Sequence, residues 1–477
     1  MDRYRCRGQS RARSLLEDSH TGTAGVHLLF LSQGFFFMSS HSFRRGALSA
    51  VALLTLALNA GAQKSLHQQI EPIVSGMYPS LDSLYKDLHA NPEIAFQEVR
   101  TAAKLAGEMR QLGFDVTEKI GGTGLVAIFK NGAGPTVLVR TELDALPMEE
   151  KTGLPYASKA KTQSNGRETF VAHSCGHDIH MASWVGTART LLAMKDQWKG
   201  TLMFVAQPAE ETVSGAKAML ADGLFKRFPK PDFAFALHTS PSPYGFVGYK
   251  VGAISSNSDS LEITFKGRGG HGSAPDKTID PIAIAARFIT DVQTVVSREK
   301  DPAEFGVITI GAMQAGTVGN IIPDAAVLRG TIRSYQPEVR EKLLAGIRRT
   351  AQAAAMMGGA PEPVVELVPG GAAVVNDEAV VNRTAAALKT AFGDPKVVQV
   401  RPITASEDFS EFVNAGVPSM MFFVGVLAPE DVAASLKPGG KPLAFNHSPF
   451  FAPVPEPSIK TSVEAMTLAV LTTMAPR

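Results

Sequence analysis

Short apolar runs alternate with longer segments of helical spacing through the first half of this 477-residue chain. Residues 125–129, 136–140, 201–207 and 233–238 are dominated by apolar side chains and read as buried strands. Residues 98–112 carry apolar positions at helical spacing and end at Gly113; 179–194 and 213–221 also predict helices. Strands alternating with helices predict an α/β fold whose sheet is covered on both faces, and in such sheets ligands gather beyond the strand ends. Glu142 and Asp144 follow one predicted strand, Glu210 and Glu211 follow another, and His238 ends a third.

The pattern changes near residue 255. Residues 258–266 alternate like an edge-facing strand, 280–297 and 338–357 predict helices, and 306–314, 325–334 and 364–367 predict strands. Two helices and about four strands make a self-contained α+β insert over 255–370. After Gly370-Gly371 the alternation returns, with a helix at 378–392, a buried strand at 419–424 and a closing helix at 457–473. The chain therefore divides into a leader (1–62), a main domain in two parts (63–254 and 371–477) and the insert. No internal repeat is present, and the one low-complexity tract is a Pro/Gly-rich loop at 437–442.

Composition refines this picture at the N-terminus. Hydrophobic residues at 44% and charged residues at 19% suit an ordinary globular chain large enough for two domains. The net charge of +2 is misleading, because the first 62 residues hold seven arginines and three acids, leaving 40 basic and 42 acidic side chains beyond them. From Met38 the order is Arg44-Arg45, an apolar run at 47–58, then Ala60-Gly61-Ala62. This order predicts an export signal over about 38–62, cleaved near Ala62, with 1–37 as an upstream extension. Phe43-Arg44-Arg45-Gly46 weakly resembles a twin-arginine signal. An uncleaved anchor is the weaker reading, since the apolar run is short for a bilayer. The expectation is an exported protein, periplasmic or secreted, with no stable membrane association after cleavage. No basic stripe interleaves with aromatics, which argues against nucleic acid as a partner.

Only Cys6 and Cys175 are present, so the chain beyond the leader has no internal disulfide. Cys175 lies in H-S-C-G-H-D-I-H (173–180), where Gly176 permits a tight turn that lets Cys175 and His177 converge. Pro208 should end the preceding strand and expose Glu210 and Glu211. Adjacent acids can divide labour, one binding a metal while the other takes a proton from water. Together with His238 and with His447 in N-H-S-P-F, these residues supply enough donors for a two-metal site. Bland alternatives exist for each: an inert buried cysteine, a solvated acidic helix start, a structural histidine after a strand. A thiol hydrolase using Cys175 beside His177 and His180 is a further alternative.

At this point the residues carry a resemblance. The chain resembles the aminoacylase/hippurate hydrolase branch of the two-metal peptidases and amidohydrolases, which includes auxin-conjugate and aminobenzoyl-glutamate hydrolases. The likeness runs from about Leu84 to the C-terminus, through H-A-N-P-E (89–93), L-D-A-L-P (143–147), C-G-H-D-I-H (175–180), Q-P-A-E-E (207–211), A-L-H (236–238), G-R-G-G-H-G-S-A-P (267–275), A-G-T-V-G-N-I-I-P (315–323), S-E-D-F-S (406–410) and H-S-P-F (447–450). It implies a catalytic domain with helices on both faces of a mixed sheet and an inserted α+β lid that also forms a homodimer or higher assembly. It implies Cys175, His177, Glu211, His238 and His447 as ligands of two divalent ions, zinc or manganese, with cobalt or nickel as further options. Glu210 becomes the general base, and His271 approaches the scissile carbonyl, in its own or a partner subunit's site. Asn320 and Arg333 hold the substrate's amide oxygen or carboxylate, while Asp144 and Asp178 orient imidazoles. The implied reaction is hydrolysis of the amide in small N-acyl amino acids; a dipeptidase or carboxypeptidase, and a non-catalytic metal- or peptide-binding protein, are the rivals. Two departures stand out. The family's R-A-D-M-D-A-L-P is here R-T-E-L-D-A-L-P, placing Thr141 and Glu142 where a small residue and an aspartate are usual, and Asp276 stands where histidine is frequent.

Overall fold

The computed structural model describes residues 65–475, so the leader expected over 1–62 lies outside the described residues. An eight-stranded mixed sheet forms the centre of the main domain, in the order Asp115–Ile120, Gly124–Asn131, Gly200–Gln207, Thr136–Glu142, Phe233–Pro243, Ser419–Leu427, Val247–Tyr249 and Val397–Gln399. The four middle strands run parallel. From Thr136–Glu142 the chain goes first to the neighbour on one side and then to the neighbour on the other. That makes this strand a topological switch point, where open α/β sheets place their ligands.

The continuous apolar runs follow from burial on both faces. Val137, Val139, Leu202, Phe204, Phe235 and Phe422 pack into a core with the helices Leu66–Ala90, Val99–Gln111, His177–Ala193, Glu378–Phe392 and Pro455–Met474. Their neighbours Leu138, Met203, Val205, Ala234 and Met421 point the other way, into a second core with Met219, Leu224 and Phe412. Each large apolar side chain buried this way contributes about 1.5–3 kcal/mol. The helix His177–Ala193 is buried on almost every side, which removes the amphipathic stripe that surface helices show.

The insert is a four-stranded antiparallel sheet in the order Gly306–Ala315, Ala325–Ser334, Asp259–Lys266, Val364–Pro369, backed by the helices Pro281–Thr294 and Pro337–Met357 around its own core. Its strand Asp259–Lys266 is paired on both sides, correcting the edge-facing expectation; alternation there reports one face on the helices and the other in solvent. The predicted helix at 280–297 ends at Thr294 and continues as a π-helical turn, Val295–Glu299. The first helix, Leu66–Ala90, contains Pro72 and Pro79 and was not delimited from sequence.

Candidate metal centre

Gly176 has φ 88°, and a Cβ there would lie 2.6 Å from Thr239 Oγ1, so the turn between Cys175 and His177 needs glycine. His177 is the first residue of the helix His177–Ala193. The acid pair sits in another strained turn: Ala209 and Val213 both have positive φ, at 51° and 52°. For β-branched Val213 that is an outlier, of the kind that clusters at functional sites. His447 also has positive φ, 68°. Its backbone N–H donates to the Ser174 carbonyl at 2.7 Å, and Asn446 Nδ2 donates to the Cys175 carbonyl at 2.9 Å. These bonds tie the C-terminal loop to the cysteine turn.

The five expected ligands converge. Donor atoms of Cys175, His177 and His238 lie within 4.8 Å of one another, as do those of Cys175, Glu211 and His447, and those of His177, Glu210 and Glu211. Cys175 Sγ is 3.4 Å from His238 Nε2, and Glu211 Oε2 is 3.2 Å from His447 Nε2. The imidazoles are aimed by their other nitrogens. His177 Nδ1 donates to the Asp144 carbonyl at 2.7 Å, and His238 Nδ1 donates to the Thr239 carbonyl at 2.8 Å. Both Nε2 lone pairs therefore face the centre. His180 differs: its Nε2 accepts the Thr239 N–H at 2.8 Å, leaving Nδ1 to donate to Glu142 at 2.9 Å. It is a bystander.

The two supporting groups, Asp144 and Asp178, each hold an imidazole, though neither does so with its carboxylate hydrogen-bonded to a ligand imidazole of the centre. The Asp144 carboxylate does not aim an imidazole; it accepts the backbone N–H groups of Glu210 and Glu211, both at 3.0 Å, and so fixes the acid pair, while its carbonyl holds His177. The Asp178 carboxylate turns away from the centre to His89 Nδ1 at 2.6 Å, and His89 Nε2 reaches Glu150 at 3.1 Å. Nor does Pro208 expose the acids: Glu210 is buried and Glu211 half-buried, both facing a cavity of about 870 Å³.

Behind the acids lies a charged cluster that sequence reading passed over. Arg140 is wholly buried and meets Glu142, Glu407 at 2.7 Å and Asp408 at 3.0 Å. Glu142 is thus taken up by Arg140 and His180, and the longer side chain does not line the cavity. Asp408 also accepts from Gln207 Nε2 at 2.6 Å and from the Ala216 N–H at 2.9 Å. The signal in the sequence is S-E-D-F-S (406–410), which sets Glu407 and Asp408 side by side.

The residues present fit divalent cations. His177 Nε2 and Glu211 Oε1 are buried without a hydrogen-bond partner, although buried polar atoms are normally satisfied. Donor chemistry of one sulfur, three imidazoles and a carboxylate suits a transition metal. Burial, with Glu407, Glu211 and Asp408 alongside, pushes Glu210 well above the usual carboxylate range, a surplus of negative charge that a cation would relieve. Burial also raises the Cys175 thiol, and it depresses His238 to about 3. A neutral imidazole beside a protonated thiol is the reverse of an activated cysteine nucleophile.

Of the three groups expected to touch substrate, Arg333 lines the cavity; its Nη1 is buried without a partner. His271 and Asn320 do not line it. They lie together on the insert, exposed, where Gly272 N–H donates to the Asn320 carbonyl at 2.9 Å.

A switch-point α/β sheet, an inserted lid and a convergent Cys/His/Glu centre define a metallohydrolase. The chain belongs to peptidase family M20/M25/M40, whose model matches residues 138–469, and it is a metal-dependent amidohydrolase/peptidase of that family. It is 37% identical over 344 residues to hippurate hydrolase of Campylobacter jejuni, covering 72% of this chain and 87% of that protein. It is 34% identical to N-acetylcysteine deacetylase of Bacillus subtilis, covering 74% of this chain and 89% of that protein. Among solved structures it is similar to the Bacillus subtilis YXEP protein, a dinuclear metal-binding peptidase of the M20 family, at 29% identity and a TM-score of 0.69 over 84% of this chain and 99% of that one.

Proposed function

We propose that this protein hydrolyses the amide bond of small N-acyl amino acids. The observation that carries the reading is the pairing of Glu210 with the five converging donors, in a cavity that also holds Arg333. Cys175, His177, Glu211, His238 and His447 would hold two divalent ions, zinc or manganese. Those ions would supply Lewis acidity, polarising the amide carbonyl and making water easier to deprotonate. Glu210, 3.7 Å from His177 Nε2, belongs to no imidazole's hydrogen bond and is held by its backbone to Asp144. It takes the proton from the attacking water and returns it to the departing amine. Arg333 receives the substrate carboxylate as a charge-assisted partner.

His271 and Asn320 act, in this reading, in the site of a second copy that meets the lid along its edge strand Gly306–Ala315. Met313, on that strand, is 39% exposed, and nearby Ile321 is 55% exposed, an apolar surface suited to such a contact. In this reading the enzyme is exported, for which N-terminal sequencing of mature protein should find Gln63 first. Within the described residues no helix is long and apolar enough to cross a membrane.

The test is a panel of acetyl, benzoyl and aminobenzoyl amino acids, with dipeptides as controls, on metal-reconstituted protein. Acyl amino acids should be cleaved with higher kcat/KM than dipeptides. Preference for dipeptides would favour the carboxypeptidase alternative, in line with the similarity to thermostable carboxypeptidase 2 of Saccharolobus solfataricus at 35% identity.

A further inference from the structure

Glu98 stands at the start of the helix Val99–Gln111, yet its side chain makes no capping bond to that helix. Glu93, in H-A-N-P-E, caps it instead: Oε1 accepts the Arg100 N–H at 3.1 Å and Oε2 the Thr101 N–H at 2.8 Å. Those are the second and third N–H groups of the helix, the ones a cap ordinarily satisfies. The Glu98 carboxylate is therefore released, and it turns into the protein, where it is wholly buried. There Oε1 accepts the Ala209 N–H at 2.8 Å and Oε2 accepts the Thr123 hydroxyl. Among the described residues its partners are backbone N–H groups and that hydroxyl, with no cation beside it. A buried carboxylate without a cation is costly, and a residue that breaks a local rule in this way points to a role at a distance.

The distant contact is with the acid pair. Ala209 immediately precedes Glu210, and its φ of 51° lies in the left-handed region that disfavours a side chain. Three consecutive N–H groups, those of Ala209, Glu210 and Glu211, go to buried carboxylates: the first to Glu98, the other two to Asp144. Asp144 fixes the N–H groups of the acids themselves. Only Glu98 holds the residue before them, and relaxation of φ at Ala209 would rotate the chain that enters Glu210. The Thr123 turn is itself seated there, since a Cβ on Gly124 would lie 2.9 Å from Pro208 Cδ.

We propose that Glu98 is a positioning residue for the hydrolysis: by holding the Ala209 N–H it keeps the turn in the conformation that aims Glu210 at the attacking water. The proposal rests on the assignment of Glu210 as general base. It adds a residue from outside the span 138–469 that the family model matches. What the turn requires of Glu98 is an acceptor oxygen at the right reach, more than a negative charge.

Three substitutions separate reach from charge, each assayed with N-benzoylglycine on metal-reconstituted protein, with kcat expressed per folded, metal-loaded chain. Glu98→Ala removes the acceptor. Glu98→Asp keeps the charge but, one methylene shorter on a capped helix start, falls short of Ala209. Glu98→Gln keeps both the reach and an acceptor oxygen. The Ala and Asp variants should lose about 10- to 100-fold in kcat, the order of loss when a catalytic group is misplaced by about 1 Å. Their KM should stay within about twofold of wild type, since the change falls on the transition state. Glu98→Gln should stay within about threefold of wild type in kcat, a neutral acceptor being weaker than a charged one. If the Ala variant does not fold, the Asp and Gln variants decide the question in the same way. Unchanged kcat in the Ala and Asp variants, a loss confined to KM, a loss that only follows lost metal, or a Gln variant as impaired as Ala overturns the proposal. Glu210→Gln in the same series keeps the two readings apart. If it retains turnover, the base assignment fails and this proposal with it; if it is inactive while the Glu98 variants match wild type, only the proposal fails.

Discussion

His177, His238 and His180 each have one ring nitrogen spent on a backbone group, and which nitrogen is spent separates ligand from bystander. His177 and His238 spend Nδ1 on carbonyls and keep Nε2 free; His180 spends Nε2 on the Thr239 N–H. Glu210→Gln keeps the shape of the acid and removes its basicity. It should lower kcat by about 10²–10⁴-fold with metal content unchanged by elemental analysis; retained turnover would reassign the base. Asp144→Ala would orphan the N–H groups of Glu210 and Glu211, at a cost of about 1–3 kcal/mol each. That loss should show in denaturant unfolding together with weakened metal retention. His89 gives a pH signature. Burial alone would depress it, but hydrogen bonds to Asp178 and Glu150 override burial and raise it to about 10. Its folded value lies above its unfolded value near 6.5, so its contribution is complete below about pH 6.5 and fades as pH rises toward 10. The Tm gap between wild type and His89→Gln should therefore shrink from pH 6 to pH 10; a constant gap would mean that His89 acts by packing alone.

At the scale of elements, the pattern of the chain disclosed most of the architecture and less of the chemistry. The runs at 136–140 and 201–207 were legible because both faces of the central strands are buried, and 378–392 because its apolar stripe meets one face of the sheet. Asp259–Lys266 looked like an edge strand, since alternation reports a wet face and says nothing about neighbours in the plane. Cys175, His177 and the acid pair were legible as local motifs. The partners of Asp144, Asp178 and Arg140 were not, because those contacts join segments far apart: Arg140 meets Glu407 across 267 positions of sequence. The turn at Gly176 gives the element-scale prediction. Gly176→Ala combines a strained positive φ with a clash against Thr239, and should cost on the order of 1–3 kcal/mol. It should also loosen the spacing of Cys175 and His177, read as faster metal loss to a chelator than in wild type.

For the whole molecule, the lid brings Arg333 to the chain's own cavity but not His271 or Asn320. If they serve a partner's site, His271→Ala and Glu210→Gln homodimers will each be weak, and subunits mixed and reassembled will regain activity. Additive activity from the mixture would place His271 outside catalysis. Everything, however, depends on the centre itself. The most direct measurement is elemental analysis after apo-protein is incubated with zinc or manganese and exhaustively dialysed, for wild type beside His177→Ala and Glu211→Ala. The account predicts close to two ions per wild-type chain, the dinuclear state of the YXEP relative, and a clear deficit in both variants, which should remain folded by circular dichroism. Wild-type protein that retains no metal, or folded variants that retain as much as wild type, would contradict it.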